Sequence, residues 1–352
     1  MKIALVLPGS IWYAPYVRIY TKILDEFHTD YSIISWNREG DDKPEGFQYD
    51  VPCAKGHGSA GWEYMGYIKF IKKTIKEQGF DRIIVFGPQM TCMLSTYLLL
   101  HFRGRYMIDY RDLSIEQKSG FKQLFAMMLK FSQANVISSP GFKRCLPKRD
   151  YYLSHNFDID AVKTAFEEKV EGSFEVDKEI EILTIGAIRD YSSNIEVVKA
   201  LGNKKNITIS FVGKGDTADD IAEYCKKNGI ENVKFTGFYQ KHEEAGYVKN
   251  TTFMNIFYPR VITHDTALSN RFYNSLIYRK PMIVTKNTTQ GDYAVHYGVG
   301  LALETAEGLA DKLQEFLKQD YAAYCNRCNT LLCNFIHDYN EFYGAVKHFV
   351  SA

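Results

Sequence analysis

The sequence predicts an α/β chain of two doubly wound domains, each a parallel sheet with helices on its faces. Three observations carry this. Short apolar runs ended by glycine or a polar turn alternate with segments whose apolar residues recur every three to four positions, the pattern of strand, crossover helix and strand. That alternation runs through the first half of the chain and is repeated in the second. Between the halves, Glu167 to Glu181 is dense in Glu and Lys and reads as a solvent-exposed linker. With 352 residues, 45% of them hydrophobic, the chain is long enough for two domains of ordinary size. The expected division is residues 1–170, 171–325 and a final helical segment, 326–352.

Composition narrows the function classes. Net charge is +1, from 43 Lys and Arg against 42 Asp and Glu, so no whole-protein field steers the chain toward nucleic acid, and no such partner is expected. The seven cysteines are scattered and odd in number, which fits a reducing compartment better than a disulfide framework. Lys2 is followed only by Ile3 to Leu7 before Pro8-Gly9, a first strand too brief for a signal sequence. The longest candidate for a spanning helix, near Tyr97 to Leu100, is ended by His101 and Arg103. A cytoplasmic protein is expected.

In order, Lys2 to Leu7 is a strand, Tyr16 to Phe27 a helix with an apolar stripe, and Tyr31 to Trp36 a second strand. Gly9, at the end of the first strand, is a point where a ligand can approach the backbone closely. Arg38 to Gly61 reads mostly as loop. Glu63 to Lys76 is a helix with Tyr64, Ile68, Ile71 and Ile75 on one face and Lys69, Lys72, Lys73 and Lys76 on the other. Beside Trp62, and with Lys118, Lys122 and Lys130 set among Phe121, Phe125 and Met127 further on, this face suits an anionic membrane surface; it equally suits plain solvent. Asp81 to Phe86 and Arg105 to Ile108 are strands, and the second delivers Asp109-Tyr110-Arg111-Asp112 to the carboxyl edge of the sheet. Charges there need a partner or a ligand, which makes them candidates for chemistry. Alternation sends Asp109 and Arg111 one way and Tyr110 and Asp112 the other; Asp109 is the expected anchor and Asp112 the expected contact to an acceptor hydroxyl.

The second half repeats the pattern, with strands at Ile180 to Ile185, Ile207 to Val212, Val233 to Phe235, Phe253 to Phe257, Met282 to Val284 and Gly300 to Leu303. Its centre is Phe253 to Thr285. An apolar strand enters the polar island Thr263-His264-Asp265-Thr266, and a helical segment then starts at Ser269, Asn270 and Arg271. A basic residue at a helix start above the carboxyl ends of a sheet suits a phosphate or diphosphate. The polar loop Asn287 to Gly291 offers a place for a donor sugar.

Asn270-Arg271-Phe272-Tyr273-Asn274-Ser275-Leu276, followed by Arg279-Lys280-Pro281 and the strand from Met282, resembles the nucleotide-sugar motif of GT-B glycosyltransferases, in particular the retaining family 4, or group 1, of bacterial polysaccharide biosynthesis. The resemblance implies two Rossmann-like domains facing across a cleft, with the C-terminal helices crossing back to the first. It puts Arg271 at the basic position of the motif and Asn274 where a glutamate commonly holds the nucleotide ribose; the second acidic position falls on Thr266, beside Asp265. Gly186 to Arg189 is similar to the glycine-and-basic step that meets the donor diphosphate, and Gly213-Lys214-Gly215-Asp216 to a Gly-x-Gly turn. The turn at Phe238 and Tyr239 falls where relatives place the nucleotide base, and Asp109 to Asp112 resembles an Asp-x-Arg-Asp step.

The resemblance thus implies a donor site of Gly9, Gly186, Gly213, Phe238, Tyr239, Ser269, Asn270 and Asn274, with Arg189, Arg271, Asp109 and Asp112 at the chemistry. The implied donor is a UDP- or GDP-sugar, with no cofactor and no metal, and the implied acceptor a glycan or lipid-linked oligosaccharide. The departures at Thr266 and Asn274 leave open a catalytically silent partner subunit, and a sugar-nucleotide epimerase shares the scaffold. Cys325, Cys328, Cys333 and His337 imitate zinc-ligand spacing, but a helix without glycine favours core packing.

Overall fold

The structure, a computed structural model, describes residues 1–40, 45–53, 61–167, 172–175 and 178–352. Parts of the expected loop over 38–61 and linker over 167–181 lie outside the described residues. The chain divides into two compact units, Met1–His155 with His337–Ala352, and Asn156–Ile336.

The first unit contains β1 (Lys2–Val6), α1 (Val17–Glu26), β2 (Asp30–Trp36), β3 (Phe47–Tyr49), α2 (Glu63–Gln78), β4 (Arg82–Phe86), α3 (Pro88–Met93), α4 (Ser95–His101), β5 (Tyr106–Tyr110), α5 (Phe121–Phe131), β6 (Ala134–Ile137) and β7 (Tyr152–Leu153). Its seven strands are all parallel, in the order β3-β2-β1-β4-β5-β6-β7. Strands covered on both faces by helices are largely apolar, and β4 and β5 are buried at every residue, with Arg82 and Asp109 their only charged members. Order reverses between β1 and β4, so connections leave β1 in opposite directions and open a crevice at its carboxyl end.

The second unit contains α6 (Ile159–Glu167), β8 (Ile180–Ile185), α7 (Tyr191–Leu201), β9 (Ile207–Val212), α8 (Ala218–Lys227), β10 (Val233–Gly237), α9 (Glu244–Asn250), β11 (Phe253–Ile256), α10 (Ile262–Thr266), α11 (Asn270–Ile277), β12 (Met282–Thr285), α12 (Thr289–Tyr297), β13 (Gly300–Leu303) and α13 (Leu309–Leu317). Six parallel strands lie in the order β10-β9-β8-β11-β12-β13, with the reversal between β8 and β11. The last helix, α14 (Tyr321–Ser351), is continuous, but its residues are divided between the units. Tyr324, Cys325, Cys328, Leu331, Leu332 and Phe335 are in the second unit's core. Phe342, Val346 and Phe349 join the first unit's core, where Phe342 packs edge-on against Tyr20 with ring centres 5.1 Å apart. The chain therefore returns to the first unit, as the resemblance implies.

The unit division falls at His155 and at Ile336, whereas the sequence places it near residues 170 and 325. Packing explains the difference: Val162 and Ala165 of α6 are buried with Leu183, Phe272 and Leu332, so this helix belongs to the second unit. The cysteines of α14 behave as core residues, with Cys325 and Cys328 buried and Cys333 exposed. Among the described residues no group of His, Cys, Asp and Glu is placed to hold a metal, and no helix is long and apolar enough to cross a membrane. Two elements differ from expectation. The three-residue strand β3 lies inside the expected loop, and residues 289–297 form α12, capped by the Thr288 hydroxyl accepting from the Gly291 N–H, instead of continuing a polar loop.

Within the first unit, His155 is fastened to α14 by a 2.9 Å contact between its Nε2 and Asp338 Oδ2. Burial pushes the imidazole pKa below its ordinary value, and Asp338 offsets only part of that shift. The folded state therefore binds this proton less readily than the unfolded chain, so its contribution to stability is intact above about pH 6.5 and is lost on acidification below it. Urea midpoints measured from pH 8 to pH 5 should fall less steeply in His155→Gln than in the parent; parallel curves would contradict the assignment.

Candidate functional site

The second unit's crevice holds a cavity of about 320 Å³ at the carboxyl ends of β8 and β11, within the usual range for small-molecule sites. Gly186, Arg189, Asp190, Tyr239, Glu244, Tyr258, His264, Ser269, Arg271 and Asn274 are in its wall. A cavity of about 390 Å³ lies at the opposite edge, beside Lys178, Thr252, Arg279 and Lys280. That one borders the amino ends of the strands, where parallel α/β sheets do not place their ligands.

Arg271 is in the first turn of α11 and only 9% exposed. Its Nε donates to the Ile185 carbonyl at 2.5 Å, one terminal nitrogen to Ala187 O at 3.0 Å and the other to Asn255 O at 3.4 Å. The guanidinium also lies 5.6 Å from the Tyr258 ring centre. No described carboxylate pairs with it, so no described residue neutralises its charge. Arg189, after β8, is exposed and makes no ion pair with a described residue. Two cations in one concave site, one of them desolvated, favour an anionic ligand.

The start of α11 is set by side chains. Ser269 Oγ accepts from the Phe272 N–H at 3.3 Å, the N-cap geometry that satisfies an otherwise unpaired donor. Gln290, the second residue of α12, accepts from both the Ser269 N–H and the Ser269 hydroxyl, at 3.1 and 2.7 Å. Asn270 accepts from the Asn156 amide at 2.7 Å. Gln290, expected in a polar loop over the donor sugar, is in the first turn of α12, where it is buried, braces this helix start and also lines the cavity.

Asn274 stands where the motif suggests a carboxylate, and a carboxylate is indeed beside it. Its amide donates to Glu244 Oε1 at 2.8 Å. Glu244, the first residue of α9, has a side chain 13% exposed and also accepts from Tyr239 OH and Lys241 Nζ, each at 2.7 Å. Burial alone raises its pKa, but the bonds from Lys241, Tyr239 and Asn274 outweigh burial and hold it below the ordinary carboxylate value. An ionised carboxylate is thus supplied from a different helix. Sequence reasoning missed it because Glu244 is thirty residues from Asn274 and reads as a routine first-turn acid. Tyr258 was missed as well, and His264, seen in the polar island, was given no site role: their rings stack 4.8 Å apart, and His264 Nε2 lies 3.4 Å from Asp190 Oδ1.

Other expected residues fall elsewhere. Gly213 does not line the cavity. Its φ is +132°, and a Cβ there would come 1.9 Å from the Gly186 carbonyl oxygen, so glycine is required for backbone packing. Phe238 is 66% exposed and also outside the cavity wall. Thr266 donates to the Ile262 carbonyl, while Asp265 is held by Arg260 through bonds of 2.9 and 3.0 Å.

In the first unit, β5 extends to Tyr110, which places Asp109 inside the sheet and not at its edge. Asp109 is fully buried. Arg111 grips both its oxygens at 2.6 and 2.8 Å, Tyr20 OH donates to it at 2.5 Å, and Arg111 continues to Ser154 O and Oγ at 3.0 and 2.8 Å. Asp109 thus has the geometry of the anchor it was expected to be, held within the sheet by Arg111 and Tyr20. Asp112 is exposed, and crowding by the protein still raises its pKa, with Arg111 opposing. Gly9 lines a separate cavity of the first unit, with Ser10, Tyr16 and Arg38.

No family model matches the chain, and no curated protein matches it. Solved structures do. HepE of Anabaena in complex with UDP has a TM-score of 0.67 at 12% identity, covering 99% of this chain and 100% of that one. A glycosyltransferase from Rickettsia africae has a TM-score of 0.70 at 14% identity, covering 99% and 98%. A putative UDP-N-acetylglucosamine 2-epimerase from Listeria monocytogenes has a TM-score of 0.59 at 12% identity, covering 95% and 94%. These likenesses span nearly the whole chain and establish its fold as GT-B, two Rossmann-like units in succession with a C-terminal helix returning to the first.

Removing Arg271 would leave the Ile185, Ala187 and Asn255 carbonyls without this donor in a buried setting, at a cost of about 1–3 kcal/mol for each group left unsatisfied. Arg271→Ala is expected to lower unfolding free energy by about 2–5 kcal/mol in urea titrations. An unchanged midpoint would show that these bonds do not hold the strand ends together.

Proposed function

We propose that the protein is a retaining, metal-independent glycosyltransferase that moves a sugar from a UDP- or GDP-sugar to a hydroxyl of a glycan or lipid-linked oligosaccharide in cell-surface polysaccharide biosynthesis. The observation that carries this reading is the second unit's cavity, where Arg271 and Arg189 have no carboxylate partner while the ionised Glu244 faces the same space. A ligand suited to both needs an anionic part and a hydroxylated part. A nucleoside diphosphate has phosphates for the arginines and ribose hydroxyls for Glu244. Structures of the same fold include HepE of Anabaena in complex with UDP and glucose, which supports the choice of ligand.

In this reading the bond from the anomeric carbon to the diphosphate oxygen breaks, and its electron pair leaves with the nucleotide. Arg271 and Arg189 stabilise the charge that develops there. The acceptor oxygen bonds to the same face of the carbon, and its proton passes to the departing phosphate. Asp112 orients the acceptor hydroxyl, its exposed carboxylate being free of the buried ion pair that occupies Asp109. The acceptor's lipid would lie at an anionic membrane surface. Exposed Trp62 and Met65, beside the outward lysines of α2, and exposed Phe121 and Met127 of α5 support that reading. The location proposed is the cytoplasm, peripheral to the inner face of the cell membrane.

The His264–Asp190 pair favours one alternative, a sugar-nucleotide epimerase, because a histidine and a carboxylate line the donor cavity. Incubation with UDP-N-acetylglucosamine and NMR of the sugar, whether still nucleotide-linked or released, separates the two: an epimerised product in the absence of acceptor would replace the transferase reading.

Glu244→Gln and Arg189→Ala should each weaken UDP or GDP binding at least tenfold in calorimetry, Arg189→Ala without moving the urea midpoint and Glu244→Gln with a lowered midpoint in a protein that stays folded, and affinity equal to the parent's in both would remove the nucleotide from this cavity. With the donor identified, Asp112→Asn should keep donor affinity within about twofold and lower turnover about 100-fold. Near-normal turnover would remove Asp112 from the orientation of the acceptor hydroxyl. Sedimentation with vesicles containing anionic lipid should show binding that declines as salt rises; binding that is absent, or indifferent to salt, would favour a soluble acceptor.

A further inference from the structure

The first unit has a crevice of its own, at the reversal of strand order between β1 and β4. A cavity of about 230 Å³ lies there, and each neighbouring strand end contributes to it: Pro8, Gly9 and Ser10 after β1, Arg38 after β2, and Gln89 after β4. This is where a doubly wound sheet presents a ligand. Tyr13, Tyr16 and Tyr64 supply aromatic wall.

Arg38 is the unusual member of that wall. Its guanidinium lies 4.7 Å from the Trp36 ring centre and 5.1 Å from that of Tyr64, so its orientation is fixed by two aromatic faces. One terminal nitrogen donates to the Pro8 carbonyl and to Tyr64 OH. Nε is buried without an acceptor, and no described carboxylate pairs with the side chain. This differs from Arg111 in the same unit, which is neutralised by Asp109. Glu39 is also in the cavity wall, where both its oxygens accept from Tyr13 OH at 2.9 and 3.0 Å. An oriented cation with donors to spare, a carboxylate and aromatic rings in one small cavity match a ligand with an oxyanion, hydroxyl donors and a ring with apolar faces. Gly9 lets the cavity come close to the arginine, since a Cβ there would sit 3.3 Å from Arg38 Nε.

We propose that this cavity binds an anionic sugar, a ring that carries a phosphate or a carboxylate beside its free hydroxyls, with Arg38 holding the oxyanion and Glu39 accepting from a hydroxyl. Calling that sugar the acceptor rests on the transferase reading; the binding site itself does not. Tyr16 connects the two, because its ring lies beneath Arg111 and its phenol pKa is raised by burial, with the charges of Asp109 and Asp112 adding to the shift and that of Arg111 opposing it. The cavity wall thus reaches Arg111, the chain neighbour of the aspartate assigned to the acceptor hydroxyl.

The test is calorimetric titration of the full chain, without donor, using glucose 1-phosphate, glucuronate and neutral methyl glucoside. At least one anion should bind, and at least tenfold more tightly than methyl glucoside; which of the two binds identifies the oxyanion as phosphoryl or carboxyl. Arg38→Met should lose at least tenfold in that affinity, Arg38→Lys should lose less, and Gly9→Ala, which crowds the guanidinium without removing it, should weaken binding with the urea midpoint unchanged. Arg189→Ala, in the other unit's cavity, should leave this binding unaltered. The proposal is overturned by binding of neither anion, by equal affinity for methyl glucoside, by an Arg38→Met protein that is folded and binds normally, or by loss of binding in Arg189→Ala. Because no donor is present, these outcomes are independent of UDP binding, and failure here leaves the transferase reading to be judged by its own titrations.

Discussion

The site depends on one guanidinium at the place where two strands part. β8 and β11 pair through Phe253 with Ile182 and Met254 with Leu183, and the register ends there, short of their carboxyl ends. Beyond it the Ile185 and Asn255 carbonyls have no ladder partner on this side of the sheet, and Arg271 supplies the missing donors to both, and to Ala187. A reversal of strand order makes such a gap unavoidable, since the connections on either side turn away from each other. Closing it with a neutral side chain would satisfy the carbonyls. Closing it with arginine does so and leaves a charge in a low-dielectric crevice, where an anion is the natural complement.

The two units treat buried charge in opposite ways. In the first, Arg111 is bound through two bonds to Asp109 and linked to Ser154, and Tyr20 donates a further bond to Asp109 Oδ2, which Arg111 also holds. Everything is paired, which makes that cluster a strut between β5 and its neighbours. In the second unit, Arg271 has carbonyls alone, while Glu244 is paired with Lys241 and bonded by Tyr239 and Asn274. A buried guanidinium without a described carboxylate partner and an ionised carboxylate line the same cavity. That contrast, and not the number of charged residues, separates a binding site from a structural ion pair.

Much of this architecture could be read from the sequence. The strands at Ile180–Ile185, Ile207–Val212 and Gly300–Leu303 have the bounds expected of them, because apolar runs ended by glycine or a polar turn leave little choice of register. The start of α11 was equally visible in Ser269-Asn270-Arg271. What escaped was long-range. β3 is three half-buried residues whose pairing with β2 no local pattern announces. The first turn of α12 is polar because Thr288 and Gln290 are buried through hydrogen bonds, one capping its own helix and one bracing Ser269, so it imitates a loop. Asp109 was expected at an edge because Arg111 and Tyr20, which allow it to be buried, are neutral to any strand periodicity. Glu244 could not be identified without knowing that α9 and α11 meet.

The central claim is that Arg271, Arg189 and Glu244 form a nucleoside diphosphate site at the switch point of the second unit. A crystal structure of the protein with UDP tests it most directly. The account predicts phosphate oxygens within hydrogen-bonding distance of Arg189 or of the unused donors of Arg271, and a ribose hydroxyl donating to Glu244. UDP bound at another place, with these three side chains untouched, would contradict it.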